Sequence, residues 1–272
     1  MFSYLTLNKS NRFEFVQFLD EMVDYYNVPS YMDFDPIQVP HRFTKKQDIE
    51  IIGFWIAMIA WGQRKTIIKN GLLLSQLMDD EPYDFMKNHS EVERSRFEKF
   101  VHRTFQATDA IYFIDFFQRY YQENDSLEDA FARFLPSDAP DVTAALHGFH
   151  HLFFDSPNVM RRTMKHVPTP LRGSTCKRLN MFLRWMVRKD EKGVDFGIWN
   201  KIQPHQLMIP LDVHVDRVGR QLGLINRSKT DWKTVVELTS MLRTFDAVDP
   251  AKYDFALFGL GLDQAKFKIP KG

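Results

Sequence analysis

The residue types best suited to chemistry occur in one short stretch, Ile209 to Leu224, with the sequence IPLDVHVDRVGRQLGL. Pro210 prevents a helix from entering this stretch from the N-terminal side, so a helix is expected to begin just after it. Asp212 then occupies a helix N-cap position, and Gly223 occupies the position of a C-terminal stop. Two uses of Asp212 remain open: a carboxylate that only caps a helix, or one that also takes part in acid–base chemistry.

Metal chemistry is the weaker alternative for these side chains. The sequence contains two sets of candidate ligands: Asp212, His214 and Asp216, and His147, His150 and His151. A spacing of two residues spreads the first set around a helix axis instead of placing it on one face. The second set has helical spacing but lacks an acidic third ligand at the right distance along the chain. We therefore predict no metal site.

The cysteine content and the apolar runs exclude several other classes of protein. A single cysteine, Cys176, rules out an internal disulfide, a four-cysteine zinc site and a protein-ligated iron–sulfur cluster. The first residues lack the basic-then-apolar order of a secretory signal. The longest strongly apolar run, Ile51 to Trp61, is well short of the ~20 residues that cross a bilayer. We expect a soluble cytoplasmic protein with no cofactor and no membrane partner.

Basic residues are concentrated in the second half of the chain. Residues 160–272 carry 21 Lys and Arg against 11 Asp and Glu, whereas residues 1–159 carry 15 against 24. Within 161–192 there are 10 basic residues and two acidic ones. Such a block is the electrostatic signature of a polyanion-binding surface, although a solvated basic face has the same composition.

Apolar residues recur with helical spacing along most of the chain, and no run alternates as a strand would. The spacing predicts helices over 11–26, 48–61, 64–78, 91–106, 108–122, 126–135, 141–154, 177–188, from 212 onward, 231–245 and 250–259. The fold class is therefore all-α. We predict one unit of two packed helical lobes, about 45–160 and about 161–260, with the N-terminal helix and the C-terminal tail packed on them.

Three stretches carry a family resemblance. The pattern Pro-Leu-Asp-Val-His-Val-x-Arg-Val-x-Arg-x-Leu-Gly-Leu at 210–224 resembles the segment bearing the catalytic aspartate in the helix-hairpin-helix (HhH-GPD) DNA glycosylase superfamily. Residues 170–178, with one glycine where that family has two, are similar to its hairpin and the lysine that follows. Residues 59–65 resemble a glutamine-containing turn of the family. The whole chain also resembles a bacterial family known mainly as a domain of unknown function.

The glycosylase resemblance implies a two-lobed helical fold with the active site between the lobes. It also implies a reaction: Lys177 attacks the sugar C1′, and Asp212 stabilises the developing positive charge or accepts the lysine proton. Burial, or nearby Arg172 and Arg178, would lower the pKa of Lys177 from about 10.4. The Lys–sugar adduct becomes a Schiff base that can eliminate the 3′ phosphate, so the activity implied is that of a glycosylase with AP-lyase activity.

The resemblance also assigns supporting roles and a substrate. Base recognition or flipping falls to Trp61, Gln63 and Phe258, and contact with the DNA backbone to Arg172, Gly173, Ser174, Arg178, His214 and Arg217. The partner would be duplex DNA with a damaged base, bound by a monomer. The separation of 35 positions (212 − 177) is closer to the archaeal 8-oxoguanine glycosylase branch, so 8-oxoguanine is the substrate expected. Two alternatives stay open: a non-catalytic nucleic-acid-binding relative, and a helical protein-interaction module with a basic face.

Overall fold

The computed structural model describes residues 11–263, and in this range it is built from α-helices and short 3-10 helices without a β-strand. The predicted all-α class is confirmed. In chain order the α-helices are α1 (Arg12–Tyr26), α2 (Lys46–Ile59), α3 (Arg64–Leu77), α4 (Pro82–Asn88), α5 (Glu91–Ser95), α6 (Ala107–Glu123), α7 (Glu128–Ala132), α8 (Thr143–Phe153), α9 (Lys177–Val187), α10 (Val213–Gln221), α11 (Trp232–Arg243) and α12 (Tyr253–Leu262).

The chain divides into two compact units. Within the described range, the unit that we call the hairpin unit combines residues 11–31, Asp138–Val142 and residues 169–263. The second, which we call the α2 unit, comprises Met32–Ser137 and Thr143–Pro168. The hairpin unit therefore includes the N-terminal helix, and its acidic segments offset part of the positive charge that the second half of the sequence carries.

The α2 unit is organised around a helix with almost no polar face. Every residue of α2 from Asp48 to Ile59 is buried, as its nearly continuous apolar sequence predicts. Aromatic rings from α6 and α8 pack on it edge to face, since such contacts suit the ring quadrupole. The ring of Phe54 lies 5.6 Å from that of Phe117, and the ring of Trp55 lies 5.2 Å from that of Phe113.

One acidic side chain is enclosed in this core. Glu50 has no exposed surface, and its carboxylate accepts hydrogen bonds from Tyr121 Oη (3.1 Å), Ser126 Oγ (2.6 Å) and the backbone N–H of Leu127 (2.9 Å). The ammonium group of Lys46 lies 3.9 Å away. A buried carboxylate is tolerated only when its lone pairs are satisfied in this way. Glu50 thus joins α2 to the turn between α6 and α7.

The hairpin unit is organised around α12, which packs against α1 and α10. Two glycines make these close approaches possible. A Cβ added at Gly259 would lie 2.3 Å from the ring of Tyr26, and one at Gly261 would lie 2.7 Å from Cβ of His214. Because helix axes separate further when larger side chains stand at the contact, glycine at these positions sets the distance between the helices.

Two differences from the predicted helices have local causes. The helix predicted over 91–106 ends at Ser95 and continues only as a 3-10 helix, Arg96–Lys99. Beyond it, Arg103 adopts a left-handed backbone conformation, and His102 and Phe105 exchange backbone hydrogen bonds across a tight turn. Helix α4 was not predicted, although Pro82 at its first turn is a signal typical of a helix start.

Removal of the buried carboxylate should destabilise the α2 unit. For Glu50→Ala we expect a loss of about 3–5 kcal/mol in the free energy of unfolding, because Tyr121 and the Leu127 N–H lose their acceptor inside the core. Urea unfolding followed by circular dichroism measures the change. The matched control is Glu91→Ala, whose side chain is 89% exposed; it should change stability by less than about 0.5 kcal/mol. Equal effects of the two substitutions would contradict a structural role for Glu50.

Candidate active site

Lys177 lies at the start of α9, directly after a tight turn. The chain makes one 3-10 turn at Pro170–Arg172, Gly173 follows with a left-handed backbone (φ +72°), and Cys176 has φ 49° just before the helix. The carbonyl of Gly173 accepts a hydrogen bond from the backbone N–H of Trp232 at 3.3 Å. The residues immediately before the turn at 173–176 therefore form one 3-10 turn, Pro170–Arg172, and not an α-helix.

The side chains around Lys177 differ in their access to solvent. Lys177 is half-buried, with its Nζ 3.4 Å from Sδ of Met181 one turn along the helix. Burial lowers the pKa of the neighbouring Arg178 guanidinium to about 10 and raises the pKa of the buried Cys176 thiol to about 12. Because the thiolate is the reactive form, this shift makes Cys176 inert at neutral pH. Lys177 is therefore the nucleophile candidate at this turn.

Asp212 caps α10, as its position after Pro210 predicts. Its Oδ1 accepts hydrogen bonds from the backbone N–H groups of His214 (2.8 Å) and Val215 (2.9 Å). The carboxylate is half-buried. Since both capping bonds use Oδ1, Oδ2 is the oxygen suited to face a cationic centre or to accept a proton.

His214 and Arg217, predicted to contact the DNA backbone, bind within the protein. His214 Nδ1 lies 3.2 Å from the carbonyl oxygen of Gly261, and Arg217 Nη2 donates to the same oxygen at 2.8 Å. Both side chains therefore fix the end of α12 against α10. The ring of Phe258 meets the His214 ring edge to face at 5.7 Å, which places this predicted base-recognition residue beside the start of α10.

A further acidic residue, not anticipated from the sequence, connects these elements. Asp254 on α12 is buried and pairs with Arg184 of α9. Burial raises the pKa of Asp254 to about 6, opposed chiefly by the charge of Arg184. The charges of Asp212 and Lys177 also act on Asp254, raising and lowering its pKa respectively. Asp254 is thus within electrostatic reach of both predicted catalytic groups. The available signal was an acidic residue inside the apolar run Tyr253–Leu262.

Part of the basic block is used inside the protein. The arginines at 184 and 188 are buried among carboxylates: Arg184 with Asp195 (3.3 Å) and Asp254, and Arg188 with Asp190 (2.7 Å), Asp195 (3.2 Å) and Asp249 (2.8 Å). These two charges cannot meet phosphates from outside. The hairpin residues Arg172 and Gly173 are exposed and Ser174 is half-buried, so the turn is the accessible part of the predicted backbone contact.

Trp61 and Gln63 belong to the α2 unit. Trp61 lies beyond the last residue of α2, with its ring stacked on that of His166 at 5.7 Å and edge-on to His102 at 5.1 Å. Gln63 is exposed at the N-cap of α3, and its side chain makes no capping hydrogen bond. Trp61 is thus held by buried rings, while the amide of Gln63 projects from the turn.

Between residues 11 and 263, no three His, Cys, Asp or Glu side chains are grouped so that they could hold a metal ion. Within that range, no helix combines the length and the apolar character needed to span a bilayer.

The fold and site define an all-helical protein with a half-buried lysine and a capping aspartate at the starts of two helices in one unit. A family model described as "Protein of unknown function (DUF2400)" matches residues 35–263. The match covers most of the chain, which therefore belongs to this family. The predicted resemblance to a domain-of-unknown-function family is confirmed, and the resemblance to glycosylases stays a prediction. No curated protein and no solved structure gave a match.

The titration of Asp254 tests whether these groups lie together. Its pKa is raised from the ordinary 3.8 to about 6. Folding therefore takes up a proton, and the stability that this group contributes is present below about pH 4 and is lost as the pH rises through about 6. In 13C NMR of Asp-labelled protein, assigned with Asp254→Asn, we expect one carboxyl to titrate near pH 6. Asp212→Asn should lower this midpoint, and Lys177→Gln should raise it. An unchanged midpoint in both variants would show that the three groups are apart.

Proposed function

We propose that this protein removes a damaged base from duplex DNA and then cleaves the abasic strand, with Lys177 as nucleophile and Asp212 as its carboxylate partner. The observation that carries the proposal is that Lys177 and Asp212, both half-buried, lie at the starts of α9 and α10 in one unit. Support also comes from the placement of Asp212 at a helix N-terminus, where its Oδ1 takes both capping hydrogen bonds and leaves Oδ2 outside them. The exposed turn supplies the cationic side chain of Arg172 for phosphate.

The chemistry balances with these residues. The neutral Lys177 amine forms a bond to C1′, the C1′–N bond breaks, and the base leaves with the electron pair and takes up a proton. The amine proton passes to a carboxylate, for which Oδ2 of Asp212 is the candidate. Ring opening gives a Schiff base, and loss of the 2′ proton then expels the 3′ phosphate. Duplex DNA requires that the base be extruded first, a step assigned to Gln63 with Trp61, while Phe258 recognises the base.

A second candidate function has its own support. A non-catalytic nucleic-acid-binding relative would need the exposed turn but not a reactive lysine. The absence of an α-helix immediately before that turn in the described chain favours this candidate. The two candidates differ in one observable, a covalent protein–DNA adduct.

Borohydride trapping distinguishes them. We expect the wild-type protein to form an adduct on duplex DNA containing 8-oxoguanine, with an abasic duplex alongside. Lys177→Gln should abolish the adduct, and Asp212→Asn should slow it by about 10²–10⁴-fold. Because asparagine caps helices as well as aspartate does, Asp212→Asn separates chemistry from capping. Lys189→Gln, at an exposed lysine of the same basic block, is the matched control and should trap normally.

Each other outcome has a defined meaning. An adduct on the abasic duplex alone would keep the lyase and reopen the choice of base. An adduct that persists in Lys177→Gln would assign the nucleophile to another lysine. If neither substrate is trapped, the lysine mechanism is wrong. Binding of duplex DNA that weakens steeply with salt would then identify the non-catalytic relative, because neutralised phosphates release counterions.

A further inference from the structure

A groove with a volume of about 810 Å³ runs along the outer face of α3. All of its lining lies within the α2 unit and comes from two segments of chain, 33–38 and 64–76. The side chains lining it are Asp33, Phe34, Gln38, Arg64, Lys65, Ile68, Lys69, Leu72, Leu73 and Gln76. None of these residues belongs to the candidate active site. Those of the second segment lie on α3, the helix that begins directly after Gln63.

The groove exists because α3 is apolar on two faces. Its inner face packs into the core, where a Cβ added at Gly71 would lie 2.2 Å from Cδ1 of Ile56. Its outer face carries Ile68, Leu72 and Leu73, of which Leu73 is 40% exposed. A helix that needs only one apolar face for folding is normally polar on the other. The outer face of α3 is therefore more apolar than its packing on the core requires.

The opposite wall is a fixed turn with an aromatic side chain in solvent. Phe34 is 73% exposed. Its turn is closed by the Gln38 amide, which donates to the carbonyl oxygens of Met32 (3.1 Å), Asp33 (2.9 Å) and Asp35 (3.2 Å). These bonds order the backbone that carries Phe34 before any partner arrives, and such preorganisation lowers the entropic cost of binding.

The rim of the groove is positive. Arg64, Lys65 and Lys69 line it against the single carboxylate of Asp33, and the N-terminus of α3 adds its positive dipole end. The surrounding α2 unit carries 16 Lys and Arg against 18 Asp and Glu. The positive rim is thus a local feature and not part of a basic surface.

We propose that this groove is a docking site for an acidic amphipathic helix of a partner protein. Apolar side chains at i, i+3 or i+4, and i+7 of that helix would fill the groove between Phe34 and Leu72, and its carboxylates would pair with Lys65 and Lys69. A nucleic-acid strand fits less well, because bases need successive aromatic platforms and the groove has one. A small anionic lipid fits less well, because the open groove would leave it half in water. The proposal is independent of the glycosylase activity.

Peptide display tests this occupant. The full-length protein is used to select from a library of random peptides of about 16 residues, roughly four helical turns. We expect enrichment of peptides with Leu, Ile or Phe at helical spacing and Asp or Glu beside them. Fluorescence polarisation of a selected peptide should show affinity that falls with added salt. Lys65→Glu/Lys69→Glu should weaken its binding by about tenfold or more, since like charges would then face each other.

Matched variants distinguish binding in the groove from non-specific binding to exposed aromatic or charged residues. Phe34→Ala should weaken binding of the selected peptide. Phe13 is 79% exposed and lies outside the groove, so Phe13→Ala should leave the peptide affinity within about twofold of the wild-type value. Lys99→Glu/Lys233→Glu, two exposed lysines away from the groove, is the charge control. Enrichment of peptides without acidic residues, or equal effects of groove and control variants, would overturn the proposal. Oligo-dT and decanoate are the probes for a nucleic-acid strand and an anionic lipid. The proposal would also be overturned if no peptide bound and the groove variants instead lost binding of either probe.

Discussion

The hairpin unit depends on a buried ion pair between Arg184 of α9 and Asp254 of α12. Two ions taken out of water cost several kcal/mol each, so the pair persists only because other groups complete it. Asp195 supplies a second carboxylate to the guanidinium at 3.3 Å, and the ring of Phe255 lies 4.3 Å beneath it. The pair fixes the orientation of α9, and so the place of Lys177 at its start. Through α12 it also bears on α10, whose first turn packs against Gly261.

The charges around this pair are unequal in number. Arg184 and Arg188 face more carboxylates than they can neutralise one for one, and burial raises the pKa of Asp195, Asp249 and Asp254. The charge of Lys177 lowers the pKa of Asp254, so a cation at the start of α9 favours the ionised form of this carboxyl. Lys177 would thus have two uses, since its charged form favours ionised Asp254 and its neutral form is the one that the proposed reaction needs. Proton transfer between Lys177 and the carboxylates would connect these two uses.

Sequence alone was sufficient where the determinant is local. Pro210 and the capping residue Asp212 lie close together in the sequence, so the start of α10 was predictable to the residue. The partners of Arg184 could not be predicted, because helical periodicity gives a face but not the residue opposite it, and Asp254 is 70 positions away. Charge counts therefore overstated the positive surface of 161–192. The end of α5 at Ser95 was not predicted for a similar reason. The left-handed backbone of Arg103 ends the helical pattern there, and tertiary context of this kind outweighs helix propensity.

The predicted site residues are divided between the two units. Lys177, Asp212, Phe258 and the exposed turn belong to one unit, in which α12 packs against α10 and is joined to α9 by the pair of Arg184 and Asp254. Trp61 and Gln63 belong to the other, where buried rings hold Trp61 and α3 begins directly after Gln63. That same helix bears the positive groove on its outer face. An occupant of the groove would therefore bind the helix that begins directly after Gln63, whereas Lys177 and Asp212 lie on helices of the other unit.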